Sequence, residues 1–532
     1  MKKTILRILA LVLAAVLLAG CADTERIRNY FINDYVAYSD MEYNRPDMQK
    51  IQTALTAACE AAQGDDLDEI VDLIYDYYDL YDDFYTNYSL ADIRYCADLT
   101  DLYWVEEYNY CAENSAAVSA GLEELYYALA KSPCRAELEG EDYFGAGYFD
   151  SYEGENSWDA VFTAMLEQES TLVSRYYELS ADALEYEIDT DAYYDACGRE
   201  MVELLVELIA LRQEMADYWG YPDYVQFAND FYYYRDYTTA ESTRYLEDIA
   251  QELVPLYKEI YYSPKWDSSD AACSEQETFA FVRSAAKAMG GTVEEAFSLM
   301  EDAGLYDIAY GENKYNSSFE LYLTTYWEPF VFMNPGLTAS DKLVFAHEFG
   351  HFCNDYASWG SYVSTDVSEV FSQGMEYLSL CYGEDAEELT WVKLADCLSV
   401  FVEQAAFATF EQRMYELSGA ELTVENLQKL YAETAEQYGF STGGYTDWEF
   451  VTINHYYTDP MYIISYVVSN DAALQLYQLE LAEAGAGLAC YQENLDTDAY
   501  CFMEFLESAG LESPFAQGRL AQVRQTLEEA LK

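Results

Sequence analysis

Two of the chain's three histidines lie in one pentapeptide, His347-Glu348-Phe349-Gly350-His351. On a helix, residues i and i+4 point to the same side one turn apart, close enough to grip one metal ion. The glutamate between them then stands beside the ion's open coordination position, where a general base would act. Such a site needs a third protein donor from another element. Glu369 and Glu376 lie seven residues apart, and so on one face of the next expected helix. Glu369 falls on the first turns of that helix, and Glu376 is better placed to hydrogen-bond a ligating imidazole from behind. The remaining histidine, His455, is a further candidate donor within a tyrosine-rich segment. Cys353 follows His351 closely, but its helical phase turns it off the metal face, and it reads as a small buried residue.

The elements that must position these groups are mostly helical. Apolar residues at three- and four-residue spacing predict helices over 48–59, 66–88, 117–131 and 158–179, with acidic residues between the apolar ones. Pro133 and the glycines at 140, 145, 147 and 154 mark a break, and Ser263 to Ala272 marks a second. Leu321 to Asn334 reads as one strand, ending at the turn Asn334-Pro335-Gly336. Ser340 then offers an N-cap for the helix with the paired histidines, so a strand leads directly into the metal helix. Helices are predicted again over 366–380, 389–416, 424–437 and 460–483.

Composition excludes several functions. The chain has 27 Lys+Arg against 98 Asp+Glu, a formal charge of −71. Nucleic acid needs a basic footprint, so it is not a partner. An acidic exterior also argues against lying flat on anionic lipid and favours cationic ligands. With 51% hydrophobic residues and 55 tyrosines there is material for a large core, and disorder is not expected. Lys2, Lys3 and Arg7, the apolar run Ile8 to Leu18 and then Leu18-Ala19-Gly20-Cys21 resemble a bacterial lipobox. Residues 1–20 are thus expected to be a signal peptide, with Cys21 lipidated and residues 21–45 a tether to the outer face of a membrane. The other eleven cysteines form no C-x-x-C pair, and no disulfide can be assigned from them.

Several segments together resemble one known family. Pro329 to Asn334, His347 to His351, Ser368 to Tyr377, Phe407 to Glu411 and His455 to Tyr466 are similar, in that order, to the thimet oligopeptidase and oligopeptidase F family of zinc peptidases. Arg212 to Asn229, with Gly220-Tyr221, also resembles it, so the likeness covers about residues 200 to 515. The first 200 residues match only in being helical. The resemblance implies a mainly α, gluzincin-like fold, with two helical lobes around a deep channel and a small sheet beside the metal helix. An N-terminal lobe over 46–200 and a catalytic region over 201–532 are expected.

It further implies one zinc ion per chain on His347, His351 and Glu369, with Glu376 as the fallback ligand and otherwise a partner behind His347 or His351. Glu348 would be the general base. His455, Tyr462 and Tyr466 match the residues that stabilise the tetrahedral intermediate. The strand through Phe330, Phe332 and Asn334 would hold a short peptide substrate as an added strand. Lys314-Tyr315-Asn316-Ser317-Ser318 replaces the family's basic, glycine-containing loop, so substrate preference could differ. A monomer is expected. The competing reading is a surface lipoprotein of the same fold that binds peptides without cutting them.

Overall fold

The computed structural model describes residues 35–140, 143–153, 160–183, 186, 190–263, 265–266, 271–361, 363–440, 448–497 and 499–532. The expected leader and Cys21 lie outside them. Three long helices come first: α1 (Met48–Ala61), α2 (Leu67–Ala97) and α3 (Leu102–Ala130). Each begins at an aspartate (Asp47, Asp66 or Asp101) whose carboxylate accepts a backbone N–H of the first turn. The second and third run well beyond the ends predicted from apolar spacing: Leu90, Ala91, Ile93 and Cys96 carry the buried stripe of α2 onward, and Glu107 and Cys111 lie on that of α3. Tyr77 is fully buried, and Tyr95 stacks on Tyr108 at 5.0 Å. These helices enclose a core of their own, from Ile51 to Phe149.

The larger core takes in α4 (Ala160–Ala183), α5 (Arg199–Tyr218) and the remainder of the chain. Inside it is a three-stranded mixed sheet: β1 (Tyr306–Asp307), β2 (Ser318–Leu323) and β3 (Glu328–Met333), in the order β1–β3–β2. β1 runs parallel to β3 and β2 antiparallel to it. The single strand expected over 321–334 is therefore a hairpin. Its turn carries no Asn-Gly or Asp-Gly signal. Instead Trp327 takes a positive φ of 60°, and the Thr325 N–H donates to Thr86 Oγ1 on α2 at 2.8 Å.

Two helices then carry the candidate donors, α6 (Asp341–Ser358) and α7 (Thr365–Tyr382). The approach to α6 is held by Asp341, whose carboxylate accepts the N–H groups of Gly336 and Thr338, both at 3.0 Å. Gly350, between the two histidines, lets the helices touch: a Cβ there would lie 2.6 Å from both Phe371 O and Ser372 Cα. Those are backbone atoms and cannot swing aside. Gly350→Ala is expected to lower the unfolding free energy by about 1–3 kcal/mol. Urea unfolding would read this, and an unchanged midpoint would mean that the helices yield at the contact. Farther on come α8 (Glu387–Ser399), α9 (Ala405–Met414), the one-turn α10 (His455–Thr458) and α11 (Ile463–Ala482). The last is apolar nearly all round and packs against α7 as a core helix. Among the described residues no helix is long and apolar enough to cross a membrane.

Candidate active site

The helical repeat places His347 and His351 with ring centroids 5.1 Å apart, and α7 brings Glu369 to them. One donor atom from each of the three lies within 4.8 Å of the others. His347 Nε2 is 3.4 Å from one carboxylate oxygen of Glu369, and His351 Nε2 is 3.9 Å from the other. The far side of each ring is also held. His347 Nδ1 donates to Glu376 Oε1 at 2.9 Å, and His351 Nδ1 is 2.9 Å from Ser368 Oγ. A carboxylate can only accept, so His347 carries a proton on Nδ1, and its Nε2 is the nitrogen that faces Glu369. Two imidazole nitrogens and a carboxylate, with the rings fixed from behind, fit a zinc ion.

Glu376 is held in turn by the buried Lys393 of α8, at 2.8 Å. Lys393 also meets Asp396 at 3.1 Å and lies over the Tyr377 ring. Burial disfavours charge on both rings. At His347 burial is the largest single influence, but the hydrogen bond to Glu376 and the charges of Glu369, Glu348 and Glu376 together outweigh it, and the pKa rises to about 9. His351 has a hydroxyl there instead, burial prevails, and its pKa falls to about 4. Burial works against the Glu376 carboxylate too, yet the Lys393 charge holds its pKa below the usual range.

Glu348 is 6% exposed, on the side of α6 that meets the start of β2. Burial pushes its carboxyl up to about 7, against the pull of His347 and a hydrogen bond from Ser318. Across from the donors, α10 and α11 present His455, Tyr462 and Tyr466. The His455 ring stacks on Tyr462 at 5.0 Å with only 4° between planes, and its Nε2 is 3.3 Å from the Tyr466 hydroxyl. The Tyr462 hydroxyl donates to Glu369 Oε1 at 2.6 Å, while Ser372 donates to the other oxygen at 2.9 Å. Burial and the neighbouring Glu369 hold both tyrosines well above the ordinary phenol range, so they remain donors.

The structure thus gathers His347, Glu348, His351, Glu369, Glu376, His455, Tyr462 and Tyr466 in one place. It does not bring Phe330, Phe332 and Asn334 there. β3 is the central strand, paired on both edges, and both phenylalanines are fully buried. The Asn334 amide is engaged in closing the preceding loop, through Gly311 and Lys314. Among the described residues β1 and β2 each pair only with β3, and of the two outer edges that of the six-residue β2 is the longer. Lys314, which began the altered loop, is 6% exposed and ties β1 to β3 through Asp307, Ala309 and Met333. Spacing gave no sign of Ser368 or Lys393, since single serines and lysines carry no pattern.

The mainly helical fold with its small mixed sheet is already represented among solved structures. A provisionally named oligoendopeptidase F aligns at 22% identity with a TM-score of 0.81, covering 93% of this chain and 98% of its own. PZ peptidase A, solved with an inhibitor, aligns at 20% identity and 0.79, with the same 93% and 98% coverage. A provisionally named oligoendopeptidase F from Bacillus anthracis aligns at 22% and 0.78, again over 93% and 98%. At these identities the likeness is one of fold. In sequence, residues 38–157 match the family described as the Peptidase M3 N-terminal domain. That match falls where the sequence reading found nothing beyond helices. The two findings together bear out the resemblance to the thimet oligopeptidase and oligopeptidase F family. No curated protein matches the chain.

Proposed function

We propose that the chain is a zinc-dependent oligopeptidase that hydrolyses short peptides. The observation that carries this reading is the three-donor cluster of His347, His351 and Glu369 with the buried Glu348 beside it. A zinc ion held by those three residues would supply the Lewis acidity that polarises a peptide carbonyl and makes water a nucleophile near neutral pH. Glu348 takes the proton of the attacking water and passes it to the leaving amine. His455 and Tyr466 donate to the oxygen that gains charge. Tyr462 joins them by turning its hydroxyl hydrogen away from Glu369. One such donor is worth about 3 kcal/mol at the transition state. The open edge of β2 suits an extended peptide, held by backbone bonds that depend little on side chains.

The test is metal removal. A mixed library of short peptides is incubated with the protein before and after a strong chelator, and cuts are read by mass spectrometry. Cleavage should stop with chelation and return when about one zinc per chain is restored. Cleavage that persists in metal-free protein would overturn the proposal.

A further inference from the structure

Two segments that carry the family likeness contribute nothing to the site as described: Arg212 to Asn229, and Phe407 to Glu411. Both converge on the backbone that links His455 to Tyr466. Arg212 has no solvent exposure, and its guanidinium donates to the carbonyls of Tyr456 at 2.7 Å and Tyr457 at 2.5 Å. Its remaining edge meets Glu169 of α4 at 2.6 Å. Glu411, 1% exposed on α9, accepts the N–H of Met461 at 2.8 Å. Arg235 takes the other side of the same residue, donating to Met461 O at 2.8 Å and to Ser465 Oγ at 3.0 Å, and is itself held by Asn229 at 2.7 Å. Tyr233 donates to Pro460 O at 2.9 Å.

These grips fall where the arm lacks support of its own. α10 is four residues long and Met461 takes a φ of +71°, a conformation a non-glycine residue keeps only when its surroundings impose it. Taking guanidinium groups out of water is costly, and each is paired with a carboxylate, Arg212 with Glu169 and Arg235 with Asp366 at 3.4 Å. Further donors of both reach the carbonyls of Tyr456, Tyr457 and Met461. That arrangement fixes a backbone path. We propose that Glu411, Arg235, Tyr233 and Arg212 are positioning residues that hold His455, Tyr462 and Tyr466 in place before any substrate arrives. The consequence for turnover rests on the peptidase reading above, whereas the consequence for the arm does not. Burial pushes the Glu411 carboxyl up to about 8, so its oxygen accepts from Met461 largely as a neutral group. A glutamine amide can do the same.

The scarcity of histidine supplies the readout. Protein labelled with carbon-13 at histidine Cε1 gives three signals, assignable by His455→Gln and by substitution of the other two. Glu411→Leu should displace the His455 signal and leave those of His347 and His351 in place. Its kcat on a quenched fluorescent peptide should fall about 100-fold with KM and zinc content little changed, the scale of a misplacement of about 1 Å. Glu411→Gln should restore both signal and kcat. Tyr233→Phe, which removes only one hydroxyl, should displace the same signal less, and it carries the test if the leucine variant does not fold. An unmoved His455 signal in the variants that fold, or a glutamine variant as impaired as the leucine one, would overturn the proposal. If the native protein cuts no peptide, the hydrolytic reading falls and the histidine spectrum alone decides the positioning role.

Discussion

Glu348→Gln is expected to reduce peptide turnover by about 10³–10⁴-fold while zinc remains bound at one per chain. Glutamine keeps the size of the side chain and can still accept from Ser318, so the fold around α6 should not change. It cannot take a proton from water. The neighbouring carboxylates are not free to replace it: Glu369 faces both imidazoles and is bonded by Tyr462 and Ser372, and Glu376 is held between His347 and Lys393. The metal should be indifferent to the change, because Glu348 is not among the three clustered donors. Parallel measurement of kcat and zinc content separates the roles. Activity within tenfold of the native protein would remove Glu348 as the base. Loss of zinc with activity would show that it serves the metal instead.

The part of this site legible in the sequence is the part that one helix encodes by itself. His347 and His351 are four apart, and the 3.6-residue repeat alone puts them together. Glu369 and Glu376 could likewise be placed on one face, but the spacing could not say which of them meets the imidazole nitrogens that face one another. That depends on how α7 lies against α6, set by the close approach at Gly350. The sheet was misread for a related reason. Thr324-Thr325-Tyr326-Trp327 has the composition of a strand, yet the Tyr326 and Trp327 N–H groups close a turn on Leu323 O, and Thr86, more than two hundred residues away, receives the Thr325 N–H. That β3 is paired on both edges could not be read either, since β1 is two residues long and has no pattern. α2 and α3 also run beyond their predicted ends, α2 through Leu90, Ala91, Ile93 and Cys96, and α3 from Leu102 onward, where only Glu107 and Cys111 are buried before Val118 and the apolar spacing is sparse.

Glu369 and Glu376 are expected to respond differently to truncation, and the difference identifies the third donor. Glu376→Ala takes the acceptor from His347 Nδ1 and leaves Lys393 with Asp396 as its remaining acidic contact in the cluster. The three clustered donors remain, so zinc should still bind, about 10–100-fold more weakly, as when a partner behind a ligating histidine is lost. Glu369→Ala removes a donor itself. Two histidines adjacent on one helix then face a gap with the Tyr462 and Ser372 hydroxyls around it, and neutral hydroxyls do not replace a carboxylate as a zinc ligand. Stoichiometric zinc should be lost from this variant under conditions where Glu376→Ala keeps it. Competition against a chromophoric chelator measures both affinities on one scale. The reverse order, with Glu369→Ala retaining zinc and Glu376→Ala losing it, would make Glu376 the ligand. α7 would then have to turn relative to α6 when the metal binds, and the contact at Gly350 leaves little room for that.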